Sequence, residues 1–320
     1  MQLVPAEGPI LDQILAETHE IWSDRLSRSA YARYNAAQVR TPWGARHLRR
    51  FALVDAGGRI LSSAKRYDLC ATLDGQEVHV VGFGAVFTPV AMRGRGYARE
   101  ILERMVTDAA RQGVQLAILF SEIDPAFYEA MGFVAVPRYE ILMRTTGPAG
   151  APMVLVRTGE ERDIPAVTAL ARAMAEQHRF ALVPTQESIR FSLSKKRLLA
   201  GFLPDGALGV EFYIVEEGAG AVAFAILTVT PADVVLEMCG DRDPSGARVG
   251  ALLQVLRART PGEAVPPTAC FLPPGWLPPQ LQIERRTRVR EVLMVRPLVP
   301  GILDKPLTES EILYWHGDLM

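Results

Sequence analysis

The stretch VVGFGAVFTPVAMRGRGYAREILERMV, residues 80–106, constrains this chain more than any other. An apolar run reads as a strand and stops at Pro89, which has no N–H to give to a sheet. Two glycines and two arginines follow at 93–96, and Ile101, Leu102, Met105, Val106 and Ala109 then recur with helical spacing. The pattern predicts a strand, a tight turn and a helix from Gly96 to about Arg111. A bulge or splay is expected at Thr88–Pro89, where the strand leaves its neighbour.

A helix start carries backbone N–H groups without intrahelical partners and a partial positive charge. Glycines let a ligand approach that backbone, and arginines add mobile cations. The turn therefore suits a pyrophosphate. Two familiar phosphate loops do not fit. In G-x-G-x-x-G, Arg99 or Glu100 stands where a third small residue belongs, and no G-K-[ST] occurs. An extended amide-bearing arm could pair with backbone left open at the splay. Coenzyme A has a pyrophosphate at one end and such an arm at the other.

Downstream, SEIDPAFYEAMGF (121–133) reads as a short helix, with Asp124 as cap, Pro125 in its first turn and Gly132 at its end. It carries Phe127, Tyr128 and Met131 after the apolar strand QLAILFS. Tyr128 is expected to face the crevice at the carboxyl ends of the central strands.

Together, R-x-x-G-x-A (Arg93, Gly96, Ala98) and F-Y-E-x-x-G-F (Phe127 to Phe133), with 35 residues between Arg93 and Tyr128, resemble the GNAT superfamily of N-acetyltransferases. One small departure is Val90, where the family often has proline. The resemblance implies an α/β (α+β) fold with a mixed central sheet splayed at a bulge and flanked by helices, with acetyl-CoA as co-substrate in the cleft. It implies that backbone groups of Val86 and Thr88 meet the pantetheine arm. It implies that N–H groups of Arg93, Gly94, Arg95, Gly96, Tyr97 and Ala98 hold the pyrophosphate, and that Tyr128 is the general acid.

With 320 residues and 49% hydrophobic content, the chain can bury two cores. TTGPAGAP, residues 145–152, is the clearest break. We expect a catalytic GNAT domain over 1–146, a linker over 147–152, a second GNAT-like domain over 153–300 and a tail over 301–320. The second half loosely repeats the strand and helix order, with EVLMVRPL closing its series. Its Gly246 and Gly250 are not at the R-x-x-G-x-A spacing, and ACFLPPGWLPP replaces the tyrosine-bearing helix. This half is expected to be degenerate and to hold no cofactor.

The reaction implied is direct attack of an acceptor amine on the thioester, since no serine or cysteine nucleophile motif occurs. The alternative is a non-catalytic acyl-CoA sensor or regulatory module. The general base is left open among Glu122, Asp124 and the tail's Tyr314, Trp315, His316 and Met320 carboxylate. A small-molecule amine is the expected acceptor, with a protein amine as the second choice. Net charge −1, from 35 basic and 36 acidic residues, argues against nucleic acid, despite RTRVR at 286–290. No apolar run long enough to span a membrane occurs. Cys70, Cys239 and Cys270 have neither disulfide nor metal spacing, so a cytoplasmic protein without metal is expected. Acceptor identity and oligomeric state are not set by the sequence.

Overall fold

The computed structural model describes residues 1–146, 154–258 and 268–318. The expected linker 147–152 and the terminal Met320 lie outside these residues. The first half runs β1 (Gln2–Pro5), α1 (Gly8–Trp22), α2 (Arg28–Arg40), α3 (Pro42–His47), β2 (Leu48–Val54), β3 (Ile60–Leu73), β4 (Gln76–Phe87), α4 (Tyr97–Arg111), β5 (Leu116–Ser121), α5 (Ala126–Glu129), β6 (Val134–Val136) and β7 (Tyr139–Thr145). The second half runs β8 (Leu155–Thr158), α6 (Ile164–Ala175), β9 (Phe180–Leu182), α7 (Gln186–Phe202), β10 (Gly209–Glu217), β11 (Gly220–Val229), β12 (Val234–Asp241), α8 (Ala247–Ala258), β13 (Thr268–Cys270), β14 (Leu281–Arg288), β15 (Val292–Pro297) and β16 (Ile312–Leu313).

Two mixed sheets result. The first has the order β1-β2-β3-β4-β5-β15-β6, and the second β8-β10-β11-β12-β13-β7-β14. Each contains one parallel pair on this path, β4 with β5 and β12 with β13, while the other neighbours are antiparallel. The second half therefore repeats the strand order of the first.

The exchange of strands was not expected. Val292–Pro297 does not close the second series; it lies between β5 and β6 of the first sheet, with Val292 opposite Ser121 and Leu293 opposite Val136. In return, Tyr139–Thr145 sits between β13 and β14 of the second sheet. Both strands are apolar enough to be buried on either sheet, so their composition does not say which one receives them.

The two faces of the first sheet are distinct. On one, α4 buries Ile101, Leu102, Met105, Val106 and Ala109, the residues its periodicity predicts, against Val81, Phe83 and Leu119. Arg66, almost wholly buried on β3, ties this helix down through Asp108 and Gln112 at 2.8 and 2.7 Å. The other face meets α1, α2, α3, α7 and the tail. There β16 alternates: Ile312 and Tyr314 enter the first core, Leu313 and Trp315 the second. The tail thus docks on both units.

Candidate functional site

β4 pairs with β5 only from Val80 to Phe83. Beyond that the two part. The bulge lies at Ala85, three residues upstream of Thr88–Pro89: Ala85 has φ +46°, and the β3–β4 register slips between the pairs Lys65–Gly84 and Ser63–Phe87. Proline marks where the strand ends, whereas the irregularity comes from a left-handed non-glycine residue, for which the sequence carries no signal. Val86 then has no register partner in β3 or β5. Thr88 follows the strand; its hydroxyl lies 3.2 Å from Ser62 Oγ and its carbonyl accepts from Arg93 Nε at 3.2 Å.

The turn beyond has the conformation that its glycines permit. Gly94 and Gly96 have φ +74° and +80°, and a methyl group built on either would meet no atom within 4 Å. Glu100 N–H closes the first turn of α4 on the Gly96 carbonyl, so the N–H groups of Tyr97, Ala98 and Arg99 precede any helical partner. Arg93 is a partial exception to the expected donor set, because its own N–H donates to the Val90 carbonyl at 3.3 Å. Arg95 is exposed beside the turn, and Arg99 reaches the Ala130 carbonyl at 3.1 Å. Open backbone donors, absent Cβ atoms and exposed guanidinium groups fit a pyrophosphate.

Tyr128 rides on the short helix α5. The Asp124 carboxylate accepts from Ala126 N–H at 3.0 Å, so Asp124 serves as a helix cap. Gly132 follows at φ +81°. Tyr128 is 6% exposed, and it packs in one apolar cluster with Met92, Val86 and Tyr97. Phe127 and Phe133 hold its ring edge-to-face at 4.9 and 6.1 Å. Burial pushes its pKa up to about 12. Among the described residues its hydroxyl has no hydrogen-bond partner, so a neutral donor is left for a ligand.

On the opposite face, the exchanged strand brings in a carboxylate that the sequence analysis missed. Glu291 directly precedes Val292, the partner of Ser121 at the carboxyl end of β5. Burial holds its carboxyl above the ordinary glutamate range, against the attraction of Arg138. Arg138 is fully buried, 3.3 Å from Glu291, with its guanidinium over the rings of Phe120, Phe271 and Tyr314 at 4.6, 4.3 and 4.4 Å. Only the strand exchange joins residues 138 and 291, and nothing local in the sequence announces it. The other base candidates fare differently. Glu122 is exposed, Trp315 lies in the second core, and His316 stacks on Phe271 at 4.8 Å.

The corresponding turn of the second unit is closed to an anion by the chain itself. The Asp241 carboxylate accepts from the N–H groups of Arg248 and Val249 at 2.9 and 3.1 Å, at the start of α8. A β-carbon at Gly246 would lie 2.4 Å from Trp276. The position that a phosphate would take is filled by a carboxylate, and the glycine space by an indole.

The family model of the acetyltransferase (GNAT) domain matches residues 16–136. The fold resembles the crystal structure of a GCN5-related N-acetyltransferase from Anabaena variabilis (TM-score 0.69, 10% identity, 94% of this chain and 74% of that one). It also resembles a conserved protein of unknown function from Enterococcus faecalis, described as a probable N-acyltransferase (TM-score 0.68, 11% identity, 94% and 73%). A GCN5-related N-acetyltransferase from Kribbella flavida is similar too (TM-score 0.66, 16% identity, 93% and 72%). At these identities the likeness speaks for the fold. No curated protein is a significant match.

Proposed function

We propose, from the premise that residues 16–136 form a GNAT acetyltransferase domain, that the protein is an acetyl-CoA-dependent N-acetyltransferase acting on a small amine. One observation supports the reading: Val86, which lacks a register partner, Tyr97 of the glycine turn and Tyr128 share one apolar cluster beside the place where β4 and β5 part. Backbone groups of Val86 and Thr88 would hold the pantetheine arm. The N–H groups of Gly94 to Ala98, with the Arg93 and Arg95 side chains, would hold the pyrophosphate. When bound, acetyl-CoA supplies an activated thioester.

The protein's own groups manage the protons. An amine must lose a proton before it attacks, and the Glu291 carboxylate is the group on the acceptor face that can take it. Its raised pKa makes it a better base near neutrality than an ordinary glutamate. Tyr128 Oη keeps its proton across the physiological range and can donate a hydrogen bond to the departing sulfur. Held backbone and excluded water contribute the rest through positioning. Three free thiols suit a reducing compartment, and we assign the cytoplasm.

The test is release of free CoA, followed by chromatography, from acetyl-CoA with a panel of amino acids, polyamines, aminoglycosides and peptides. Release with one class, lowered at least tenfold by Tyr128→Phe, supports the reading. Tight acetyl-CoA binding with no release across the panel would overturn it in favour of an acyl-CoA sensor.

A further inference from the structure

On the face of the first sheet opposite α4, β2, β3 and β4 lie side by side, and their cross-strand rows can be read directly. Arg50 stands opposite Lys65, which stands opposite Gly84. The next row is Leu48, Tyr67 and Gly82. Neither glycine has a side chain, so on β4 no side chain stands beside Lys65 or Tyr67, next to the bulge at Ala85. Lys195 on α7 is near enough to Lys65 to repel it and, with Tyr67, Trp43 and Phe191, walls a cavity of about 440 Å³ between α3, β3 and α7. Trp22 at the end of α1 meets Phe87 edge-to-face at 6.4 Å, which sets the α1–α2 turn above the end of β4.

The charges here do not balance. Like charges placed directly across two strands repel, and Arg50 and Lys65 are such a pair. Among the described residues, neither Lys65 nor Lys195 has an ion pair or hydrogen bond. Asp24, exposed on the α1–α2 turn, attracts both lysines without coming within ion-pair distance of either. Glu237, the next carboxylate, is taken by Lys196 at 2.8 Å. Arg50 Nη1 is buried with no partner, and its Nη2 has only Asn35 at 3.5 Å. Ser63 Oγ, one row from Lys65, is a second buried orphan. Burial pushes both lysines down, Lys65 further through Arg50 and Lys195, and Lys195 through its neighbour Lys196 to about 8, but an arginine cannot shed its proton. Buried cations without partners are costly unless something else supplies the counter-charge.

We propose that Arg50, Lys65 and Lys195 bind an oxyanion, carboxylate or phosphate, carried by the amine that is acetylated. This deepens the proposed transfer reaction and rests on it. Strands about 4.8 Å apart put Lys65 and Arg50 about 5 and 10 Å to the side of β4. An acceptor lying across β3 would have its anion over these residues and its amine at the splay, on the same face as Glu291. The planar fork of Arg50 suits two oxygens at once. The specificity that follows is for an amine with a second, anionic end, and against a bare polyamine, which brings no counter-charge and is repelled by Arg50.

The test uses two matched pairs, lysine with cadaverine and phosphoethanolamine with ethanolamine. Each is titrated calorimetrically into the full chain without acetyl-CoA, and each is then assayed for CoA release. The expected result is that one oxyanion-bearing member binds at least tenfold tighter than its bare amine. The pair in which this occurs tells carboxylate from phosphate. Lys65→Met is expected to abolish the preference, and Lys65→Arg to keep it. Lys65→Met should also raise Tm, because it removes a buried amine that has no partner among the described residues, whereas loss of a structural contact would lower it. Equal binding within both pairs, no binding by either, or discrimination retained in Lys65→Met would overturn the site. Discrimination in binding without CoA release would leave the site standing and overturn the transfer reaction. Release without discrimination would do the reverse.

Discussion

Replacing Tyr128 by Phe isolates one hydroxyl in an otherwise conserved environment. The ring is 6% exposed and wedged between Phe127 and Phe133, and phenylalanine fills the same space. Among the described residues its hydroxyl has no partner, so its removal leaves no orphan behind. Stability should therefore change by no more than about 0.5 kcal/mol, or about 2 °C in Tm for a chain of this size. Catalysis should change far more. Loss of one preorganised hydrogen-bond donor to developing charge costs about 10²- to 10³-fold in kcat, roughly 3–4 kcal/mol, with KM for acetyl-CoA little altered. The raised pKa shapes the expected pH profile. Burial favours the neutral phenol, so its proton is retained as pH rises past the ordinary value of 10 and is lost only near 12. The rate should consequently show no basic limb from Tyr128 below pH 10. The same pKa sets the kind of donation. A simple thiol has a pKa of about 8.5, so complete transfer from a phenol near 12 is uphill by roughly 5 kcal/mol. Tyr128 should act as a hydrogen-bond donor to the sulfur, with the final proton coming from solvent. CoA release at pH 6–10, alongside a thermal melt, tests all of this. A fall in kcat below threefold, or a Tm loss above about 5 °C, would refute the reasoning.

Gly96→Ala forces an alanine to φ +80°, which should cost about 1–2 kcal/mol of stability and place a methyl group in the space a pyrophosphate needs. The expected outcome is at least a tenfold rise in KM for acetyl-CoA with a small fall in Tm, read from initial rates and a melt. Glu291→Gln should lower kcat/KM by about 10²-fold. In the wild type, kcat/KM should fall as pH drops through a pKa above the ordinary glutamate range, because only the ionised carboxyl can take the proton. That acid limb should vanish in the variant, and its persistence would exclude Glu291 as the base. A fragment of residues 1–146 should not fold alone. It lacks the strand between β5 and β6, and its Tyr139–Thr145 has lost both partners. Unpaired edges of this kind aggregate, so a monodisperse fragment with a cooperative melt would overturn the exchange.

What the sequence made legible was local. The periodicity of residues 101–109, the glycines at positive φ and the Asp124 cap act within a few residues of themselves, and each was found where expected. Short elements with little pattern escaped: α3, β9, β13 and β16 are each six residues or fewer. What was not legible depends on pairing across the chain. The Glu291 carboxylate is 153 positions from its arginine partner, and the two meet because two apolar strands changed sheets. No periodicity encodes that choice, since either sheet would bury the same side chains. The opposed cations Arg50 and Lys65 were equally hidden, because a charge in a strand reads as solvent-facing until its cross-strand partner is known. The GFG segment at 82–84 reads only as part of a strand, yet its two glycines are the cross-strand neighbours of Tyr67 and Lys65. Thus the half of the site that would hold the cofactor is written in contiguous motifs, where helix ends and turns do the work. The half that would choose the acceptor is assembled from β2, β3, α7 and an exchanged strand, and can differ between proteins that share the same turn.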